Sequence, residues 1–249
     1  LFMVEGDSSR TSQLLADGIG PQLVSLLRHP SHAVQLPALR LVGSFLFGDE
    51  EQTQAMLNMN VLVGLDSLLH SELKKLRKEA AWSLSNVAAG TPPQLQALID
   101  YTSIMTTLIE YAYHGENNTR IESLHTLANA FNGGTMEQIR KLVSIGAWDA
   151  LADNLNSEDD TLLTALLEAV ERVLAVGLKD NKIPEHHYAL ALEHNSGLEK
   201  LENLVDHHSI DIWNHAAKIL KTFWPEATND ENAIPNITMG GTYGWNSGN

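Results

Sequence analysis

The sequence predicts an all-α fold built from stacked helical repeats, and three observations lead to this prediction. Strand signals are nearly absent, because no segment shows sustained apolar/polar alternation and no Asn-Gly hairpin occurs. Apolar residues instead recur at spacings of three and four, as in Leu162, Leu166, Ala169 and Val173. The helical pattern also repeats along the chain. Together these features favour a solenoid rather than a single closed core.

The repeat has a period slightly above 40 residues. Residues 18–27 align with residues 60–69, and the same pattern returns at 102–111, 146–155 and 196–205. The successive offsets are 42, 42, 44 and 50 residues, and the last is long because 177–184 is a polar insertion. A period of about 40–47 residues with two or three helices per unit is the signature of armadillo and HEAT repeats.

Each unit contains a short helix, a middle helix and a long helix, in that order. In one unit the sequence predicts them at 91–100, 102–114 and 117–131, with glycines at the breaks. Because one unit cannot bury both faces of its helices, we expect the repeat domain over residues 1–224 to consist of a stub at 1–6 followed by five stacked units. The expected shape is a right-handed superhelix whose concave face is lined by the long helices. Trp224-Pro225 should close the last helix, and 225–249 should form a flexible tail.

The composition excludes several classes of protein. The 249 residues carry a formal net charge of −15, which argues against nucleic-acid binding and is consistent equally with cationic partners and with a solvated surface that keeps the protein soluble. This charge is uneven, with 15 acidic and 10 basic residues over 1–149 and 16 acidic and 6 basic residues over 150–249. The absence of cysteine rules out disulfides, thiolate zinc sites and a cysteine nucleophile.

The sequence also gives expectations about compartment and completeness. No apolar run approaches the ~18–20 residues that a membrane-spanning helix needs, and no signal peptide is visible at the start. We therefore expect no membrane partner and a reducing compartment. The first residue is Leu1 rather than Met, which suggests a fragment of a longer chain.

A stripe of polar and aromatic residues recurs on the predicted long helices. Glu79, Trp82 and Asn86 are spaced by three and four, so they share one helix face. The next long helix repeats the spacing with Glu122, His125 and Asn129. The preceding long helix has Arg40 and Ser44 in the positions of Trp82 and Asn86. Leu84 and Val87 should point into the stack instead.

The chemistry of this stripe suits an extended basic peptide. An Asn amide offers a donor and an acceptor, so one Asn per unit can bind a peptide backbone whatever its side chains. A Trp ring beside it can hold a Lys stem within cation–π range, and a Glu one turn away can meet the charge. The alternative is that Trp82 is core and Asn86 a solvated polar residue. Recurrence of the pattern at the repeat period favours the binding interpretation.

Four motifs carry a resemblance to a known family. Residues 78–90 read KEAAWSLSNVAAG and resemble the pattern K-E-A-x-W-x-x-S-N-x-x-A-G of importin alpha, the adaptor that binds nuclear localisation signals. Residues 48–53 are similar to its G-x-D-E-Q-T, 37–40 to its P-A-L-R, and 133–139 to its G-G-T-x-E-Q-I. The resemblance covers the end of repeat five through repeat ten of that family, and the tail.

The resemblance implies which binding groove the chain contains. The family has a major signal-binding site on repeats two to four and a minor one on repeats six to eight, and only the minor one falls in this chain. By position, Glu79, Trp82 and Asn86 match repeat seven, and Glu122 and Asn129 match repeat eight. The positions that hold the key Lys and Arg correspond to Gly48, Thr53 and Ser85. Arg40 matches the Arg that interrupts the tryptophan array.

Two departures from the family pattern are visible, and several partners are implied. His125 replaces a tryptophan and Ser44 replaces an asparagine, which removes one aromatic slot and one backbone clamp. The implied partners are proteins with Lys/Arg-rich signals, importin beta through an N-terminal segment outside this sequence, and an export receptor with Ran-GTP docking on the last repeats and tail. Shuttling between cytoplasm and nucleus follows from this resemblance.

Two other classes of function compete with this interpretation. An enzyme would need a catalytic or metal-binding site, and the only candidate motifs are Glu185-His186-His187 and Asp206-His207-His208. Adjacent histidines on a helix point about 100° apart, so we expect neither pair to chelate a metal, and we expect no cofactor and no catalysis. A different armadillo scaffold, such as a catenin-like module for acidic partners, would need a basic concave face. The predicted concave face of this chain instead carries the acidic residues Glu79 and Glu122.

Overall fold

The computed structural model describes residues 8–184 and 186–225, and these residues form helices, turns and loops without a strand. The predictions for residues 226–249, including the flexible tail, fall outside the described residues. Within the described part, no helix is both long enough and apolar enough to span a membrane. The fifteen α-helices of this part are α1 Ser8–Ala16, α2 Gly20–Leu26, α3 His32–Leu46, α4 Glu50–Asn58, α5 Val61–Leu69, α6 Lys74–Ala88, α7 Pro92–Ile99, α8 Thr102–His114, α9 Asn117–Gly133, α10 Met136–Ser144, α11 Ala147–Asp153, α12 Asp160–Gly177, α13 His187–His194, α14 Gly197–Asn203 and α15 Ile210–Phe223.

The helices form five consecutive units of three, which confirms the all-α armadillo-type architecture predicted from the sequence. The units are α1–α3, α4–α6, α7–α9, α10–α12 and α13–α15, the last with a 3₁₀ turn at Leu204–Asp206. The long helices α3, α6, α9, α12 and α15 pack against one another in that order and form one continuous layer, called here the long-helix layer. The shorter helices pack behind it, for example α5 and α8 against α6 and α9.

One apolar position per long helix shows how the units share a core. Repeating every 42 or 43 residues, this position is buried in all five units and is occupied by Phe45, Val87, Ala130, Val173 and Ala216. Leu84 is also fully buried, so the prediction that Leu84 and Val87 point into the stack is confirmed. Burial of such side chains contributes roughly 1.5–3 kcal/mol each for the larger ones, which makes stacking of the units the main source of stability.

In the third and fourth units, a buried glutamine in the first turn of the first helix bonds to the preceding unit. Gln94 accepts from the Thr91 amide at 3.0 Å through Oε1 and donates to the Glu50 carbonyl at 2.8 Å through Nε2. Gln138 repeats both bonds in the next unit, with the Thr135 amide at 3.0 Å and the Pro92 carbonyl at 2.7 Å. Each glutamine side chain therefore caps the N-terminus of its own helix and also hydrogen-bonds to the first helix of the preceding unit. These bonds explain the recurring Thr/Gln pattern of the sequence.

The polar insertion at 177–184 packs against the preceding unit instead of extending into solvent. Asp180 is buried, and its Oδ2 lies 2.7 Å from Nε of Arg140 on α10. Beyond the insertion, His186 has a left-handed backbone with φ 59° and precedes α13. The ion pair anchors the insertion, whose extra residues account for the longer offset of the fifth unit.

Candidate functional site

The predicted stripe lies on the long-helix layer with its side chains at the surface. Glu79, Trp82 and Asn86 on α6 are each half-buried, whereas their neighbours Ala81, Ser83 and Leu84 are buried. On α9, the residues Glu122, His125 and Asn129 are likewise half-buried. Since α6 and α9 pack side by side, the two sets are adjacent along the layer. The spacing of the sequence therefore brings these six residues to one surface.

The Trp82 ring is seated on a glycine of the preceding long helix. A Cβ atom added to Gly43 on α3 would overlap Cζ3 of Trp82 and lie 3.0 Å from its Cε3. Gly43 is thus the residue that lets the ring lie against α3. It was not among the residues predicted from the sequence, although a glycine inside a long helix costs stability and so signals a close approach.

The two asparagines of the stripe differ in how their amides are used. Asn129 donates one amide hydrogen from Nδ2 to the Ser85 carbonyl at 3.0 Å, which ties α9 to α6. Within 8–184 and 186–225 no other group bonds its Oδ1 or its second hydrogen, so both remain for a ligand. Asn86 has a buried Nδ2 without a hydrogen-bond partner among the described residues. A buried unpaired donor is costly, so a carbonyl supplied by a bound chain would be favourable there.

The glutamates of the stripe already have basic neighbours. Oε1 of Glu79 lies 3.1 Å from Nε of Arg40, and Oε1 of Glu122 lies 3.8 Å from Nζ of Lys78. Burial raises the pKa of the Glu122 carboxyl, Lys78 opposes this rise and Glu79 adds to it. The interpretation from the sequence assigned both carboxylates to a peptide cation and did not foresee these ion pairs. A bound cation would share them with Arg40 and Lys78.

A cavity of ≈ 530 Å³ opens between the α3–α4 and α6–α7 connections. It brings together Gly48, Thr53 and Asn86, three of the predicted residues, with Phe47 and Glu50 also lining it. Phe47 is 73% exposed, which makes it an aromatic side chain at the surface of the cavity that the sequence interpretation missed. The mixture of aromatic and acidic groups is suited to a basic side chain.

Thr53 and Ser85 of the predicted site are buried, Ser44 is half-buried, and all three hydroxyls already donate their hydrogens. Thr53 donates to the Leu46 carbonyl at 3.2 Å, and Ser85 donates to the Trp82 carbonyl at 2.8 Å. Toward a ligand both hydroxyls can therefore act only as acceptors, which is the role a Lys or Arg donor requires. Ser44 is half-buried and donates to the Arg40 carbonyl at 3.1 Å, so it offers no side-chain hydrogen to a peptide backbone.

A second cavity, of ≈ 480 Å³, lies between α9 and α12. It is lined by His125, Asp160, Thr161, Thr164, Ala165 and Glu168. Burial lowers the pKa of His125, and Asp159 opposes this shift only in part. The imidazole is therefore neutral at pH 7 and presents an aromatic face instead of a positive charge. The cavity continues the stripe by one unit, beyond the residues predicted from the sequence.

The expectation that adjacent histidines diverge is wrong for His207 and His208. They lie in the connection before α15, not on a helix, and Nε2 of each faces Asp160, at 3.8 and 3.3 Å. The three side chains could surround a metal ion by distance alone. However, Nδ1 of His207 accepts the Ser209 amide hydrogen at 3.1 Å, which leaves the proton of the neutral ring on Nε2. A metal ligand needs that nitrogen deprotonated, so the arrangement suits a hydrogen-bonded cluster.

Comparison with known proteins supports the repeat architecture. The family model of the atypical Arm repeat matches residues 186–236. Importin subunit alpha-1a of Oryza sativa subsp. japonica is 34% identical over 97% of this chain and 45% of its own length. Importin subunit alpha-3 of Arabidopsis thaliana is 37% identical over 94% of this chain and 46% of its own length. The chain is an armadillo-repeat relative of the importin alpha subunits. It spans about half the length of these importin alpha relatives.

Solved armadillo structures share the same fold. A designed armadillo repeat protein in complex with the peptide (KR)4 superposes with a TM-score of 0.78 at 26% identity, covering 88% of each chain. Computationally designed armadillo repeat proteins for modular peptide recognition superpose with a TM-score of 0.79 at 24% identity over 89% of each chain. The importin alpha resemblance and the armadillo fold thus agree with the architecture seen here.

Proposed function

We propose that this chain is part of a nuclear import adaptor and binds Lys/Arg-rich nuclear localisation signals along its long-helix layer. The observation that carries the proposal is the stripe on α6 and α9, where a carboxylate, a ring and an asparagine recur on one surface at a 43-residue interval. The formal net charge of −15 favours a cationic ligand. The designed armadillo neighbour bound to (KR)4 gives a direct probe for this surface.

In the proposed complex the asparagines bind the peptide backbone and the rings bind its side chains. The unpaired Nδ2 of Asn86 donates to a peptide carbonyl, and Oδ1 of Asn129 accepts a peptide amide. A Lys stem lies on the Trp82 ring with its ammonium near Glu79. Gly48, Thr53 and Ser85 supply acceptors and space around a second basic side chain. No step of this function is catalytic.

The wider partners are part of the same proposal. The similarity to importin alpha subunits suggests importin beta as a partner of the longer protein, an export receptor with Ran-GTP on the last repeats, and shuttling between cytoplasm and nucleus. The acidic excess after residue 150 supports docking on this end. Deleting 226–249 should weaken export-receptor binding and leave helix content unchanged. An unchanged affinity would remove the tail from the proposal.

A second candidate is an armadillo scaffold for a peptide other than a nuclear localisation signal. The observation that favours it is the pairing of Glu79 with Arg40 and of Glu122 with Lys78, which reduces the negative charge offered to a ligand. A catenin-like site for acidic peptides would use these basic residues instead. An acidic peptide of the same length as (KR)4 separates the two candidates.

The test is a fluorescence titration with (KR)4 and the acidic peptide. The double substitution Trp82→Ala, Asn86→Ala removes the ring and the backbone donor, and should weaken (KR)4 binding by about 2–4 kcal/mol, or about 30- to 1000-fold. His125→Trp should strengthen it, because it adds an aromatic wall. Leu190→Ala, at an exposed position on α13, serves as the control. Unchanged (KR)4 binding by the folded double variant, or tighter binding of the acidic peptide, would contradict the proposal.

A further inference from the structure

The stripe continues into a third unit with a different chemistry. Trp82, His125 and Glu168 occupy the same position of α6, α9 and α12, at intervals of 43 residues. At the matching interval, the position of Asn86 and Asn129 is taken by Arg172. Arg172 donates from its guanidinium to the Gly134 carbonyl at 3.3 Å, so it is used within the protein. The backbone-binding asparagines therefore end at α9, while the side-chain position continues.

The cavity between α9 and α12 gives this third position a defined surrounding. Its ≈ 480 Å³ are bounded by His125 on one side and by Asp160 and Glu168 on the other. The imidazole contributes a neutral aromatic face, and Asp160 contributes a carboxylate that also faces His208 at 3.3 Å. Thr161 and Thr164 are exposed at the rim and add hydroxyl acceptors.

Among the described residues, and unlike Glu79 and Glu122, Glu168 has a carboxylate that is free to bind a ligand cation. Glu79 and Glu122 are held near Arg40 and Lys78, whereas Glu168 is exposed and has no ion pair or hydrogen bond from its side chain within 8–184 and 186–225. Arg172, one turn further along α12, donates to the Gly134 carbonyl, so the Glu168 carboxylate has no ion pair in the described part of the chain and attracts a mobile cation more strongly than one that is already compensated. The cavity therefore complements a positive charge and adjoins the surface proposed to bind a basic peptide.

We infer that the peptide-binding surface extends one unit beyond α9, into a subsite in which His125, Asp160 and Glu168 bind a Lys or Arg side chain of the same peptide. The ammonium or guanidinium lies between the two carboxylates, and the aliphatic stem lies on the imidazole. Because no asparagine is present, the subsite recognises a side chain and not the backbone. The inference rests on the proposed function, since it assigns a further contact of the same ligand.

The required peptide length follows from the packing. Adjacent helices lie about 8–10 Å apart, and an extended chain advances about 3.3–3.6 Å per residue, so each unit takes up two to three residues. A ligand that reaches from the Trp82 unit to the Glu168 unit spans two such steps, or about four to six residues. The eight-residue (KR)4 is long enough for this distance.

The experiment measures (KR)4 affinity for wild type, Glu168→Gln and Glu110→Gln. Both substitutions remove one charge from an exposed position, but Glu110 lies on α8, behind the long-helix layer. We expect Glu168→Gln to weaken binding about three- to tenfold and Glu110→Gln to change it by less than about twofold. Melting temperatures confirm that both variants fold. In parallel, the imidazole resonances of His125 are followed by NMR, and (KR)4 should shift them.

The outcomes separate this inference from the proposed function. If (KR)4 does not bind wild type, the proposed function fails and the inference fails with it. If (KR)4 binds but the two variants have equal affinity, charge acts only at long range and the subsite is wrong, while the proposed function stands. Unshifted His125 resonances at saturating peptide would overturn the subsite as well. A selective loss in Glu168→Gln together with a shift of His125 supports it.

Discussion

At the scale of single residues, the contact between Trp82 and Gly43 positions a ring on the surface that we propose binds a peptide. A methyl group at Gly43 would occupy the place of the Trp82 ring, so Gly43→Ala should displace the ring from α3. We expect weaker (KR)4 binding, by about tenfold, and a changed tryptophan fluorescence spectrum. Gly133→Ala is the matched control, because the nearest atom to its added Cβ is the Ala88 carbonyl oxygen at 3.8 Å. Equal binding by the two variants would show that the ring position does not matter.

Protonation of His125 contributes to the pH dependence of stability. Burial holds the pKa of this imidazole below its ordinary value of 6.5 in the folded protein. Below pH 6.5 the unfolded chain therefore binds the proton first, and the free energy of unfolding falls as pH decreases until the folded imidazole is also protonated. Above pH 6.5 the group has no effect. His125→Gln should reduce this loss between pH 7 and pH 5, measured by urea unfolding. Parallel curves for both proteins would contradict the assignment.

At the scale of helices, the buried glutamines hold the units in register. Gln94→Ala removes a bond to the Thr91 amide and a bond to the Glu50 carbonyl, both at a partly buried junction, and it leaves a gap at the buried Gln94 position. We expect a loss of about 2–4 kcal/mol in the free energy of unfolding. Gln54→Ala is the control, because Gln54 is exposed and bonds only within α4, to Asn58. Similar urea midpoints for the two variants would contradict the role of Gln94.

Helix positions could be predicted from the sequence because they depend on local spacing. The prediction of 102–114 coincides with α8, and that of 117–131 falls within α9, since apolar periodicity marks the helices and glycines follow their ends, at Gly115 and at Gly133-Gly134. The stripe on α6 and α9 followed from the same spacing. Contacts between units could not be predicted in this way. The pairing of Arg40 with Glu79 depends on how far α3 and α6 are offset, which sequence spacing does not encode.

The same limit explains the two features that the sequence interpretation missed near Asp160. His207 and His208 were treated as helical, but the chain turns before α15 and brings both rings to one carboxylate. The cavity at Glu168 was missed because the expected pattern was aromatic, and a carboxylate at that position does not match it. Counting the 43-residue interval one unit further would have found it.

At the scale of the whole molecule, the acidic charge predicts a strong effect of salt on binding. A peptide of alternating Lys and Arg meets a protein of formal charge −15, and the screening length falls from about 10 Å at 0.1 M to about 3 Å at 1 M salt. We expect (KR)4 affinity to fall by at least about tenfold between 0.05 and 0.5 M NaCl. The melting temperature over the same range serves as the control for folding. An affinity independent of salt would indicate an apolar binding mode.

The contacts between units have a consequence for lengthening the molecule. Several donors at these junctions, on Gln94, Thr126 and Asn129, end on main-chain carbonyls of the preceding unit. Every residue supplies a carbonyl, so such a junction does not require a particular side chain on the accepting side. Residues 91–133 therefore behave as a cassette with compatible ends. A second copy inserted after residue 133 should dock on the first and provide one more ring-and-amide set for a longer ligand.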